Sequence, residues 1–225
     1  MKKIITTLTF VTSMAGLSQA AISLANEYHL GEAGSVSGAN LLPQDSIGTE
    51  HFTNLNSNPT VTNITAGLAA PGSTNALEMS NNANGAGTYY GTSLGLTNDW
   101  ALEVWLRPGT SGAYLGSTDG SSNGTGLRFW ATVGSHAGTS LGGNALTAGS
   151  HLVMSNGSGF LGNTTSTYTI GTWARVNLIT HNSTVYYYLD GVLQDSAVTS
   201  ANLNGIRLGA GYIAQGGSNG AFDEM

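Results

Sequence analysis

Short runs in which apolar and polar residues alternate, broken every few positions by Gly, Asn or Ser, set the pattern of this chain. In "ALEVWLR" the residues Leu102, Val104 and Leu106 alternate with Glu103, Trp105 and Arg107, so an extended segment has one apolar and one mixed side. The same period of two runs through "ARVNLIT" and "VYYYL". These runs predict strands at 22–30, 76–79, 88–90, 100–106, 113–117, 126–133, 151–154, 172–180, 185–189, 192–196 and 205–208, with a stub from Phe222. Segments such as "STDGSSNGTG" and "SNGSG" supply turn chemistry between them. No amphipathic helix follows the first 20 residues, and 54–73 is the least regular stretch, a loop or an extra edge segment. Strands this short and this frequent predict an all-β fold, an antiparallel two-sheet β-sandwich of jelly-roll type.

The segment "GTWARVNLITHNSTVYYYLDGVLQDS", residues 171–196, can be read in register. With "HNST" as the connection, Thr180 faces Val185, Leu178 faces Tyr187 and Val176 faces Leu189, and these six residues share a mostly apolar, core-facing side. The other side pairs Ile179 with Tyr186 and Asn177 with Tyr188, and brings Arg175 near Asp190. Asp190-Gly191 is a strong two-residue hairpin signal, because a type I′ turn needs positive φ at both central residues. Asp190 is therefore read as a turn residue in preference to a catalytic one. Tyr187 falls on the core side, where its hydroxyl must find a partner. Tyr186 is left as an exposed ring that architecture does not explain.

Composition narrows the setting. Met1-Lys2-Lys3, the diluted apolar stretch from Ile4 to Leu17 and the small-residue site Ser18-Gln19-Ala20 predict a signal peptide over residues 1–20, cleaved before Ala21. The expected location is outside the cytoplasm: periplasmic, extracellular or at the cell surface. Nothing downstream approaches the ~20 apolar residues of a membrane span. Residues 21–225 then form the one expected domain. Both lysines lie in the signal, so four arginines face twelve carboxylates, a net charge of −8 for the mature chain. A lysine-free acidic chain is a poor binder of nucleic acid or anionic membrane, which need clustered cations. Only 8% of residues are charged, yet 40% are hydrophobic, which favours turn-rich β-structure over disorder. With no cysteine there is neither a disulfide framework nor a thiolate metal site.

The order of motifs resembles a known family. "EYHLGEAGSVSGANLLPQDSIGTEHFTNL" (Glu27 to Leu55) is similar to the first strand, acidic-glycine turn and Asp-Ser-x-Gly loop of the LamG-like, concanavalin A-like jelly-roll domains of bacterial exported proteins. "NALEMSNNANGAGTYYG" resembles the second block of that family, and "LTNDWALEVWLRP" its strand of the type "ftlEaWvkP". "GTWARVNLI" and "VYYYLDGVLQDS" match its Gly-x-Trp strand and its tyrosine-bearing strand, and "IRLGAGY" with "GAFDEM" its closing strand. The resemblance covers about Tyr28 to the end. It implies a carbohydrate or extracellular protein as partner, and scaffold as the role of Tyr188. It also implies one structural calcium ion at a loop rim, with Asp45 and Asp223 as candidate ligands because the family's first and last strands lie near one another. The chain stops at Asp223-Glu224-Met225, where family members run on, so the closing strand is expected to be incomplete and the chain to be a truncated member.

Catalytic signals are weak. A retaining glycosidase needs two carboxylates about 5 Å apart. Asp99 and Glu103, four apart in a strand, are roughly 13 Å apart. The five histidines are scattered without ligand spacing, and no nucleophile elbow or phosphate loop occurs. The expectation is a non-catalytic binding module. Tyr186 and Trp130 are its candidate sugar-stacking rings and Asn177 its candidate amide for sugar hydroxyls. The alternatives are a structural or adhesive piece of a cell-envelope protein and, ranked behind it, a glycoside hydrolase.

Overall fold

The computed structural model describes residues 23–38, 41–56, 60–64, 69–80, 89–91, 94–97, 99–109, 114–117, 128–135, 137–147, 149–155, 159–199, 203, 205–208 and 220–225. The expected signal peptide lies outside them. The long strands follow from the alternation: in β7 (Trp100–Pro108) Val104 and Leu106 are fully buried, Trp105 between them is half-buried and Glu103 before them is exposed. In chain order the other strands are β1 (Val36–Ser37), β2 (Leu42–Pro43), β3 (Asn54–Asn56), β4 (Thr60–Ile64), β5 (Ala76–Ser80), β6 (Tyr89–Gly91), β8 (Tyr114–Ser117), β9 (Arg128–Ser135), β10 (Gly138–Thr139), β11 (Ala145–Leu146), β12 (Ser150–Ser155), β13 (Phe160–Leu161), β14 (Ala174–His181), β15 (Thr184–Leu189), β16 (Val192–Val198), β17 (Ile206–Leu208) and β18 (Gly220–Asp223).

They form two seven-stranded antiparallel sheets. The front sheet runs β16-β15-β14-β7-β18-β5-β4 and the back sheet β13-β12-β9-β8-β17-β6-β3, with β1-β2 and β10-β11 as separate small hairpins. This is the all-β, antiparallel jelly-roll sandwich that the alternation predicts. The core between the sheets takes Val104, Leu106, Val176, Leu178, Val185, Tyr187 and Phe222 from the front, and Leu152, Met154, Leu161, Ile206 and Leu208 from the back.

The β14–β15 register is the expected one: Thr180 faces Val185, Leu178 faces Tyr187 and Val176 faces Leu189. The turn is tighter than four residues, because His181 pairs with Thr184 and only Asn182 and Ser183 turn, with φ of 49° and 59°. Asp190 and Gly191 form the next turn, with φ of 51° and 80°. Tyr187 is fully buried, and its hydroxyl donates to the Leu152 carbonyl at 2.8 Å, so one bond ties the two sheets together.

Two expectations are adjusted. Within the irregular 54–73 stretch, Asn54–Asn56 and Thr60–Ile64 are edge strands, β3 ending the back sheet and β4 ending the front sheet. Residues 23–29 form no regular strand, yet Tyr28 exchanges both backbone hydrogen bonds with Met225, at 2.7 and 3.0 Å, which binds the chain's start to its last residue. The Tyr28 ring meets Phe52 edge-on, with centroids 5.0 Å apart, and its hydroxyl donates to Glu50 O at 2.6 Å. No described helix is long and apolar enough to cross a membrane.

Candidate functional site

Pairing across the front sheet aligns its outward side chains in rows. Leu193, Tyr188, Asn177 and Glu103 stand opposite one another on β16, β15, β14 and β7. Ser196, Tyr186, Ile179 and Ala101 form the adjacent row, and Arg175, Trp105 and Asp223 the row on the other side. Rows lie two residues apart along each strand, about 7 Å. Tyr186, Tyr188, Asn177, Arg175 and Trp105 are half-buried, while Glu103, Ile179 and Leu193 are exposed. The face is therefore apolar and aromatic with a few converging polar groups.

Local chemistry holds these groups. Asn177 Nδ2 donates to Glu103 Oε2, which orients a carboxylate and an amide side by side beneath Tyr188 in the same row. The Arg175 guanidinium lies over the Trp105 ring, 5.9 Å from its centroid. Arg175 is anchored through its backbone, its N–H donating to Asp190 Oδ1 at 2.8 Å and its carbonyl accepting from Asp190 N at 2.7 Å. Beyond β7 the outer face is closed: Trp173 packs on Ala76 and Ala221, and Arg107 Nε donates to Gly171 O at 2.8 Å. What stays open is a shelf over β7, β14, β15 and β16.

The structure brings Tyr186 and Asn177 onto one face, in neighbouring rows. It does not bring Trp130 to them, because Trp130 stands on β9 of the back sheet, opposite Tyr114 and Val153; its side chain lies outside the described residues. Tyr188, read by resemblance as scaffold, shares the open face with Tyr186. Trp105, Arg175 and Glu103 were visible as outward positions of alternating strands. Missing was the knowledge that β14, 70 residues further on, lies beside β7.

Asp45 and Asp223 are both buried, at 5% and 0% exposure, and their surroundings do not fit a calcium ion. Asp45 Oδ1 accepts the N–H groups of Glu27 and Ile47, and Oδ2 accepts Asn26 Nδ2 at 2.8 Å and Glu50 N at 3.4 Å. Asp223 Oδ2 accepts Ala70 N at 3.0 Å, and Oδ1 accepts Glu224 N and lies 3.2 Å from Ser73 Oγ, whose single hydrogen it shares with the closer Glu32. Donor hydrogens that converge on both oxygens present positive charge where a cation would sit, and a calcium site needs several oxygen ligands. Among the described residues no group of three or more His, Asp or Glu gathers as a metal set. The two carboxylates instead tie loops down: Asp45 fastens 45–50 to 26–27, and Asp223 fastens 70–73 to the last strand. Burial, aided by the charge of Glu224, pushes the Asp223 carboxyl up to about 6 against those bonds. Glu32 clamps the same 73–75 loop from outside, accepting from the Ser73 and Thr74 hydroxyls and the Thr74 and Asn75 N–H groups, which hold it down at about 2.

Two further acids, Asp99 and Asp195, are separately engaged. Asp99 binds His181 Nδ1 at 3.1 Å and Asn182 N at 3.1 Å, in an exposed cluster beside the β14–β15 turn. Asp195, buried on β16, accepts Asn144 Nδ2, Gly162 N and Ser196 N and so secures two loops along that edge. Gly142 is required there, since a Cβ would lie 1.8 Å from Asp195 Oδ1.

No family model and no curated protein matches the sequence. Among solved structures, the chain is similar to domain 4 of AbnA, a GH43 extracellular arabinanase from Geobacillus stearothermophilus solved in complex with arabinotriose, with a TM-score of 0.52 and 16% identity over 80% of this chain and 84% of that one. It is similar also to the cellulose-induced protein Cip1, with a TM-score of 0.55 and 16% identity over 76% of this chain and 86% of that one. Both likenesses establish the fold, a β-sandwich of the jelly-roll class.

Proposed function

We propose that the chain is an exported bacterial LamG-like module that binds carbohydrate on the open face of its front sheet and carries out no catalysis. The observation that supports this reading is the row Tyr188, Asn177, Glu103 with Tyr186 beside it. Tyrosine rings two residues apart on one strand offer faces for the C–H surfaces of successive sugars, and an amide held against a carboxylate offers a donor and acceptors for neighbouring hydroxyls. Neither tyrosine hydroxyl is bonded to a described residue, which leaves both tips for a ligand. That a like-folded domain was solved with arabinotriose makes glycans the ligand class to test first.

A second reading, an adhesive segment of an envelope protein, is favoured by the edge strand β16, where Val192, Leu193 and Val198 are 61, 47 and 82% exposed. A glycan array followed by calorimetry separates the two. The expected result is a glycan whose affinity falls about tenfold in Tyr186→Ala and in Tyr188→Ala, the factor that ~1.4 kcal/mol of stacking represents. Their melting temperatures should stay near the parent's. A blank array from folded protein overturns the glycan reading and leaves the adhesive one.

A further inference from the structure

The row beside the tyrosines carries a group that the reading above does not use. Arg175 is one of four arginines in a mature chain with twelve acids and no lysine. The ion pairs of His29 with Glu27 and Glu224 and of His181 with Asp99 involve neither Arg175 nor Arg107. Asp190, next to Arg175 in register, accepts the Arg175 backbone N–H instead of its guanidinium. Arg107, two residues along β7 from Trp105 and on the same face, gives its Nε to the Gly171 carbonyl and likewise meets no carboxylate.

The surroundings of the Arg175 guanidinium decide what it can do. It sits 5.9 Å from the Trp105 ring centroid, within range of a cation–π attraction that consumes none of its five N–H donors. No described residue accepts a hydrogen bond from them. The β14–β15–β16 ribbon fixes the height of this group, because Gly191 leaves room where a Cβ would sit 3.3 Å from an Arg175 terminal nitrogen. The result is a positioned, half-buried fork with its donors unfilled, about 7 Å from the Tyr188 row. In an acidic chain the surrounding field repels anions, so an anion is held here by the fork and not by bulk attraction.

We propose that the Arg175–Trp105–Arg107 end of this face recognises a carboxylate on the glycan, so that the ligand contains uronic acid residues. The planar fork matches a carboxylate in a bidentate manner, and a uronate bound there places its neighbouring sugars over Tyr188 and Tyr186. This inference rests on the carbohydrate reading of the same face.

The test compares a uronic acid polymer such as polygalacturonate with the same polymer after carboxyl reduction, for the parent, Arg175→Gln and Tyr186→Ala, with dextran sulfate as a charge control. The expected result is at least tenfold tighter binding of the acidic polymer by the parent. Arg175→Gln should lose that preference while keeping its affinity for the reduced polymer and its melting temperature. Tyr186→Ala should weaken both polymers alike. Equal parent affinity for the two polymers, or a preference that survives Arg175→Gln, overturns the carboxylate assignment and leaves the carbohydrate reading standing. Binding that follows sulfate density regardless of the sugar overturns it as well. Failure of the parent to bind any glycan overturns both.

Discussion

Tyr187 shows how far a single residue can be read before folding. Alternation puts it on the core side, and burial of a phenol demands a partner for its hydroxyl. The structure supplies Leu152 O at 2.8 Å, on the opposite sheet, and burial raises the phenol well above its ordinary value. The partner could not be foreseen, because β12 approaches β15 only through the closed sandwich. Tyr187→Phe keeps the ring and removes the bond, so it should destabilise by about 1 kcal/mol in urea denaturation. Tyr187→Ala also opens a cavity and should cost roughly 3–5 kcal/mol. Equal stability of the Phe variant and the parent would mean the hydroxyl contributes nothing. Its neighbours divide by the same alternation: Tyr186 and Tyr188 face outward, and what they do depends on the strands beside them.

The hairpins β14–β15 and β15–β16 were legible because their signals are local. Asp-Gly fixes one turn, and period-two burial fixes the faces on both strands. Strands β1, β2, β10, β11 and β13 were missed for the opposite reason: each is two residues long and exists through a partner's backbone, not through its own pattern. The site was half legible for a related cause. Tyr186 with Asn177 came from one hairpin, whereas Trp105, Glu103 and Arg175 meet only through the β7–β14 pairing. The turn reading of Asp190 makes a prediction at this scale. Asp190→Asn keeps a residue tolerant of positive φ and a side-chain oxygen for the Arg175 N–H, so stability should stay within about 0.5 kcal/mol. Gly191→Val puts a β-branched residue at φ of 80° and its Cβ against Arg175, and should cost at least about 1–2 kcal/mol by denaturant midpoint. A large loss from Asp190→Asn would refute the turn assignment.

At the scale of the molecule, the places where the chain's two ends meet make stability depend on pH in both directions. Bonding to Glu224 first, then the charges of Glu224 and Glu27, raises His29 above its ordinary 6.5, with Nδ1 2.7 Å from Glu224 and Nε2 3.2 Å from Glu27. Its contribution is complete below 6.5 and is lost as pH rises through the higher folded value. Asp223 acts in the same direction: raised from 3.8 to about 6, it favours the folded state while protonated. That advantage disappears between those two values, a change on the order of 3 kcal/mol. Glu32 and Asp45 act oppositely. Glu32 is held at about 2, and burial pushes Asp45 up but is outweighed by Asn26 and the N–H groups of Glu27, Ile47 and Gly48. Their contributions are present above the ordinary 4.5 and 3.8 and fall away as pH drops through the folded values. Melting temperature should therefore peak at about pH 4 to 4.5, where the gain from Glu32 and Asp45 is almost complete and the loss from Asp223 has begun, and decline from there toward pH 8. Asp223→Asn cannot titrate, so it should lower the peak, since an amide offers donors to the donors of Ala70 and Ser73, and flatten the decline from pH 4 to about 6. His29→Gln should flatten the decline above 6.5 alone. A profile that rises from pH 5 to 8, or one unchanged in both variants, would show that the junction of the two chain ends does not govern the response.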